Sequence, residues 1–299
     1  MCWPPVGTSV LYGTVTGSDS VTEPQPSEIG ARLLAEPAKV AFWAGPPAQG
    51  VYIGRGLSLD VHRHYATQIT IGLGRPVLVR TATGDLLQQH SFVVGPNLAH
   101  GIEASATPIL EIFSEARALA DFAERLRLES GSETPELPAD LVTELWPHLL
   151  GAAEKLSDGQ VDDPLLVTLI DRVLQSTQQD IGADPRVAAA RSLVTAQFLV
   201  DHDRPIDELA GRVHLSTSRF RHLWRQEMGM SIQSYLRWQR LLTAMQNTAR
   251  GASLTEAAHG AGFSDSAHLT RVFRATFGIP PSRIFKDSHS VQVLTASVQ

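Results

Sequence analysis

Residues 206–229, IDELAGRVHLSTSRFRHLWRQEMG, and residues 254–278, LTEAAHGAGFSDSAHLTRVFRATFG, carry one apolar frame written twice. Ile206, Leu209, Ala210, Val213 and Leu215 recur 48 residues later as Leu254, Ala257, Ala258, Ala261 and Phe263. Phe220, Leu223, Trp224 and Gly229 recur 49 residues later as Leu269, Val272, Phe273 and Gly278, so the second copy holds one extra residue between Phe263 and Leu269. Apolar residues three and four apart line one face of a helix. Each copy therefore reads as a short helix, a tight turn, a longer helix and a glycine stop. Ser216 and Ser264 stand where the longer helices begin, and serine is a favoured N-cap. Ser253 and Glu256 have the spacing of a capping box. Between the copies, Ile232–Asn247 reads as a connecting helix.

A short helix, a turn and a second helix form a helix-turn-helix, whose second helix can lie in the major groove of DNA. Two copies could place two reading helices in successive grooves, about 34 Å apart. The outward positions suit that task. The first longer helix presents Thr217, Ser218, Arg219, Arg221, His222 and Arg225; the second presents Asp265, Ser266, Ala267, His268, Thr270, Arg271 and Arg274. Arginine pairs with guanine edges, Ser and Thr reach phosphates or bases, and Ala can touch a thymine methyl. Charge points the same way. The 299-residue chain has a formal net charge of −6, but Pro185 to Asp287 holds 14 Lys+Arg against 8 Asp+Glu, a net of +6. The remainder carries a net of −12. A cationic module joined to an anionic one implies that only the C-terminal part meets a polyanion.

LSTSRFRHLWRQEMGMSIQSYLRWQRL and ASLTEAAHGAGFSDSAHLTRVFRATFGIPPSRIF resemble the DNA-binding domain of AraC/XylS-type transcription regulators. The resemblance covers about 100 residues, Arg186 to Phe285. It rests on Gly262-Phe263, Asp265, Leu269-Thr270-Arg271, Phe273, and a closing turn from Gly278 through Pro281 to Ile284-Phe285. Two departures are mild: Trp224 stands where Phe is common, and Ile284-Phe285-Lys286 where Tyr-Arg is common. By matching position, the resemblance implies base-facing roles for Ser218, Arg221 and His222 in the first helix. In the second it implies Ser266, Ala267, His268, Thr270 and Arg271. Arg219 and Arg225 join the DNA-binding set, although they, like Arg274, suit phosphate or solvent as well as bases. Trp224, Phe273 and Trp238 are expected in the core.

The front of the chain has a different texture. From Val40 to Phe113, short apolar runs (VAFW, VYI, ITIGL, PVLV, FVV, ILEIF) alternate with Gly/Pro turns, the pattern of a sandwich or small barrel. Gly56, His62, His64 and Gln68, then PNLAH ending at His100, resemble the cupin motifs Gly-x5-His-x-His-x3-Glu and a Pro-led His, with Gln68 in the acid position. His62 and His64 are two apart, so on a strand they face one side. His62, His64, Gln68 and His100 are assigned as the effector-binding set. Three imidazoles would also suit Zn, Fe, Ni or Cu, but Gln68 is a weak neutral donor. No metal, no cofactor and no catalytic residue is assigned.

The expected fold class is α+β. Residues 1–36 read as a mobile arm, 37–115 as a cupin-like barrel, and 116–180 as helices that couple the domains or dimerise. Residues 185–287 read as a double helix-turn-helix, and 288–299 as a tail. The chain contains one cysteine, Cys2, so neither an intramolecular disulfide nor a Cys-based zinc site can form. There is no G-x-S-x-G, no phosphate-cradling glycine loop and no HExxH. No secretion signal and no membrane-length apolar run is read, so a cytoplasmic location is expected. The expected function is a non-enzymatic, sequence-specific regulator of transcription. Its partners would be double-stranded DNA, a small-molecule effector, a second copy of itself, and RNA polymerase if it activates. The alternatives are a metal-dependent cupin enzyme or metal sensor fused to a DNA-binding module, and an architectural protein whose barrel only dimerises.

Overall fold

The computed structural model describes residues 39–44, 49–104, 107–115, 117–157, 184–287 and 290–295. The N-terminal arm and the stretch 158–183 of the expected helical region lie outside these residues. The front is built from β2 (Gln49–Arg55), β3 (Ser58–His62), β4 (Thr67–Gly72), β5 (Val77–Thr81), β6 (Leu86–Gln89), β7 (Ser91–Val94), β8 (His100–Glu103) and β9 (Pro108–Ser114). They form two four-stranded antiparallel sheets in the orders β2-β9-β4-β7 and β3-β8-β5-β6. This is a cupin-like double sheet, and the fold class is α+β. Tyr52, Val77, Val79, Phe92, Val94, Ile102, Ala104 and Ile109 pack between the sheets. β1 (Lys39–Ala44) pairs in parallel with β10 (Ser290–Thr295), so backbone from the expected tail returns to the front of the chain.

Strands β4 and β9 sit inside their sheet, and all six residues of β4 are buried. Strand alternation turns Gln68 and Thr70 to one side and Ile69 and Ile71 to the other. The polar side faces Glu111, which pairs with Thr70 in the β4–β9 register. Strands β3, β6 and β8 are absent from the apolar runs, because SLDVH, LLQQ and HGIE are edge-like or polar. Gly56 opens β3 where a Cβ would collide with the Ala104 and Thr107 backbone.

Helices α1 (Arg117–Ser130) and α2 (Ala139–Ser157) follow. The stretch between them is pinned to the barrel: the Gln89 Nε2 donates to Thr134 O at 2.8 Å and Val93 N–H donates to Pro135 O at 3.0 Å.

The C-terminal module begins with α3 (Pro185–Leu193), capped by Asp184 with proline in its first turn, and α4 (Ala196–Asp201). The first unit is α5 (Pro205–Arg212) and α6 (Thr217–Met228); α7 (Ile232–Ala249) connects; the second unit is α8 (Leu254–Gly260) and α9 (Ser266–Phe277); α10 (Pro281–Asp287) closes it. Ser253 and Glu256 form the full capping box. Each unit has its own core, and α7 serves both. Ile232, Tyr235 and Leu236 join Leu209, Phe220 and Trp224, whereas Trp238, Leu241 and Met245 join Ala258, Leu269 and Phe273.

One cap differs from expectation. Ser216 caps α6, accepting from Arg219 N–H, but α9 is capped by Asp265, which accepts from His268 N–H at 2.6 Å. Ser264 instead donates to the Asp265 carboxylate. The extra residue of the second copy is therefore Ser264 itself, absorbed in the turn, and the caps stay 49 residues apart. Both long helices stop at a left-handed glycine, Gly229 (φ 67°) and Gly278 (φ 74°).

Candidate functional site

The outward faces of α6 and α9 are where the helical spacing puts polar side chains. On α6, Phe220 and Trp224 are buried, which leaves Ser218, Arg219, Arg221, His222 and Arg225 exposed. On α9, Leu269 and Phe273 are buried, Ala267 and Arg271 are exposed, and Ser266, His268 and Thr270 are half-buried. Thr270 donates back to Ser266 O at 2.8 Å, and Ser264 Oγ lies 3.2 Å from His268 Nδ1. The positions nearest the N-terminus of α9 are thus held by local bonds, while Arg271 is held by none that is recorded among the described residues.

Arg274, one turn on, is already engaged. Its Nη2 donates to Asp60 Oδ2 of β3 at 2.8 Å, and Asp60 N–H donates to Gly278 O at 3.2 Å. The end of α9 therefore rests on the barrel strand that carries His62. A Cβ at Gly278 would collide with the Asp60 carbonyl and stand 2.9 Å from His62 Nδ1. Phe113 of β9 meets Phe277 edge-on at 6.4 Å, and Tyr65 packs against the cores of both units. Arg117 of α1 donates to the carbonyls of Gln226 and Glu227 at the end of α6.

Glu115 lies at the same junction and was not picked out from the sequence. Gln239 Nε2 donates to its Oε1 at 3.0 Å, and Arg191 Nη2 is 3.9 Å from its Oε2. Burial raises its pKa to about 8, against the opposing pull of Arg191, Trp238 and Gln239. The unfolded carboxyl ionises near pH 4.5, whereas the folded one keeps its proton to about pH 8. For this group, stability is full below the unfolded value and falls as pH rises between the two. Glu115→Gln is expected to flatten that fall: thermal melts of the variant should lose less stability than the native chain between pH 6 and pH 9. Superimposable pH profiles would show that the junction does not hold this proton.

Inside the barrel, His62, His64, Gln68 and His100 come together as assigned. His62 and His100 face each other in the β3–β8 register, with ring centres 4.4 Å apart. His64 stands 5.6 Å from His62 and 5.0 Å from His100. Burial depresses all three imidazoles, His62 to about 3, so each is neutral at pH 7. The acid missing at position 68 is supplied from β9: Gln68 Nε2 donates to Glu111 Oε1 at 3.0 Å and to Thr70 Oγ1 at 2.9 Å. Burial raises Glu111 to about 8, so it is protonated at neutral pH. Its signal in the sequence was a lone acid inside the apolar run ILEIF.

A cavity of about 50 Å³ opens beside His62 and Glu111, closed on its far side by Trp238, Met245, Phe277 and Ile284 of the C-terminal module. It is an apolar space shared by the two halves. A second cavity of about 350 Å³ lies between the two helix-turn-helix units, lined by Arg237, Arg240 and His268 among others.

The fold and these faces define a two-unit helix-turn-helix module behind a cupin-like front. A family model described as a helix-turn-helix domain matches residues 209–287. The arabinose operon regulatory protein of Escherichia coli (strain K12) is 28% identical over 148 residues, covering 47% of this chain and 49% of that protein. Its Salmonella typhimurium counterpart is also 28% identical over 148 residues and is covered to 51%. The chain thus spans about half the length of the curated relatives it matches. Among solved structures, ToxT from Vibrio cholerae O395 has a TM-score of 0.49 at 10% identity, over 81% of this chain and 98% of that one. The AraC-like transcriptional activator CuxR has a TM-score of 0.31 at 16% identity, over 66% and 72%. By the family-model match, residues 209–287 form a helix-turn-helix domain.

Proposed function

We propose that the chain is a sequence-specific DNA-binding regulator of transcription whose DNA occupancy is set by a small effector in the N-terminal barrel. The observation that carries this reading is the pair of capped helices, α6 and α9, whose buried residues are all apolar or small and whose outward faces hold Arg221 and Arg271 exposed. Such helices supply base-edge contacts, while flanking arginines neutralise phosphate. Ser218, Arg221, His222, Ala267 and Arg271 are the proposed base readers, with Ser266, His268 and Thr270 at the helix start. Arg219 and Arg225 are proposed phosphate contacts. A homodimer through the helices of 116–180, and a polymerase contact if the protein activates, belong to the same proposal.

An effector acts by preferring one arrangement of barrel and module. The junction of Asp60, Gly278, Glu115 and Phe113 is the place where two arrangements would differ. The deciding experiment is selection of bound duplexes from a random pool, followed by salt titration on the winner. If six to ten phosphates are contacted, affinity should fall about 10³- to 10⁵-fold between 50 and 200 mM salt. Equal affinity for selected and random duplexes would overturn sequence-specific recognition.

A further inference from the structure

Along α7, Gln233, Leu236, Arg237 and Arg240 are spaced three and four apart, so they form one stripe of the helix. That stripe is one wall of the cavity of about 350 Å³ between the two helix-turn-helix units. Pro205 and Ile206 of α5 close it from the first unit, and Phe263, His268 and Val272 close it from the second. The volume is that of a compact small-molecule site, which usually spans about 300–1,000 Å³. Most of the walls are apolar, and Arg237 and Arg240 stand among them.

Arg240 has no counter-charge. Its side chain is half-buried, and a Cβ at Gly262 would stand 3.3 Å from its Nε, so the glycine leaves the room that the guanidinium fills. That Nε is buried without a hydrogen-bond partner among the described residues, and no carboxylate among them pairs with the group. Burial holds Arg240 below the usual arginine range, with nothing opposing it. Elsewhere in the module Arg186, Arg191, Arg204, Arg212 and Arg274 each face a carboxylate. Arg237, one turn before Arg240, is exposed and also lacks an ion pair among the described residues. The acid on the cavity wall, Asp203, is exposed and pairs with neither arginine. A cation drawn out of water is costly until an anion meets it.

We infer that the cavity between the two units binds a small organic carboxylate, with Arg240 and Arg237 holding the oxyanion and Ile206, Phe263 and Val272 covering an apolar body. A planar guanidinium meets a carboxylate through two parallel N–H···O bonds. Inorganic phosphate would satisfy the arginines but leave Ile206 and Phe263 against water, and its second charge would meet Asp203. A DNA phosphate has similar oxyanion chemistry, yet it arrives on a hydrated backbone that does not fill an apolar recess.

Such an occupant touches α5, α7 and α9 at once, so it would fix the two units relative to each other and with them the separation of α6 and α9. This consequence rests on the regulator reading; carboxylate binding itself does not.

The test titrates the untagged full chain with para-trifluoromethylbenzoate, read by fluorine NMR, and with cyclohexanecarboxylate, read by calorimetry. The matching carboxamides and inorganic phosphate are the controls. One carboxylate per chain is expected, with the carboxamides and phosphate about tenfold to a hundredfold weaker. Arg240→Gln should lose affinity by a similar factor. Arg250→Gln, an exposed change at the end of the same helix and outside the cavity, should lose none. Should Arg240→Gln not fold, Arg237→Gln decides, because that side chain is exposed and lines the same cavity. Carboxamides that bind as tightly as carboxylates, a folded Arg240→Gln variant that binds as well as the native chain, or no stoichiometric uptake overturns the inference and leaves Arg240 a solvated group. Phosphate binding as tight as carboxylate binding, with a salt slope of duplex binding lowered by about 1 in Arg240→Gln, assigns the arginines to a DNA phosphate and overturns it too. Duplex selection on the native chain keeps the two readings apart: specific DNA binding without carboxylate uptake removes only this site.

Discussion

Replacing Arg271 by alanine is expected to weaken binding to the selected duplex by about 1–3 kcal/mol, while binding to random duplex falls far less. Arg271 is exposed on α9, six residues after the Asp265 cap, and no hydrogen bond among the described residues ties it down. Its guanidinium is free to fork onto a guanine edge, a contact a point charge cannot copy. Arg221→Ala should behave likewise on α6. The two helices rest on separate cores, so the losses should nearly add in the double variant. Arg225→Ala is the contrast: a phosphate contact, when lost, weakens all sequences alike and lowers the salt slope by about 1. Fluorescence anisotropy on selected and scrambled duplexes at several salt concentrations separates the cases. Equal losses on both duplexes for Arg271→Ala would move that residue from base to backbone.

The largest effect on stability is expected at Trp224. Its side chain is fully buried in the first unit, against Phe220 and Tyr235 at ring distances of 5.6 and 4.9 Å. Trp224→Ala removes an aromatic from a packed core and should cost about 3–5 kcal/mol. That is a large share of the roughly 5–15 kcal/mol that holds a typical domain folded. Trp224→Phe should cost much less. The indole Nε1 has no hydrogen-bond partner among the described residues, so phenylalanine removes an unsatisfied donor along with some apolar area. Urea unfolding of the three chains checks the order; a phenylalanine variant as unstable as the alanine one would mean that the indole shape matters more than its volume.

What could be read from sequence followed the range of the interaction. The doubled frame was legible because a helix buries residues three and four apart, so Leu209, Ala210 and Val213 announce a face before any tertiary contact is known. The capping box and the glycine stops are equally local. The histidine pair at 62 and 64 was legible for the same reason, as a two-residue spacing on one strand. The polar strands were not: Ser58–His62 and His100–Glu103 have few apolar residues to alternate, and they are strands because neighbours hydrogen-bond them. Glu111, Asp60 and Glu115 escaped because their roles come from sheet register and from packing of distant segments. Glu111 acts through Gln68, 43 residues away, and Asp60 through Arg274, 214 residues away. The Ser264 cap failed by one position, because the extra residue of the second copy could be placed anywhere in the turn until Asp265 was seen to hold it.

Gly278 ends α9, adopts a backbone angle that other residues resist, and touches the barrel through its carbonyl. Punctuation and docking therefore coincide at one atom-sized spot. Transplanting this C-terminal module onto a different front half would keep the full stop and discard the handshake. A chimera of that kind should still grip nucleic acid yet become deaf to whatever its new companion senses, unless a strand like Ser58–His62 travels with it.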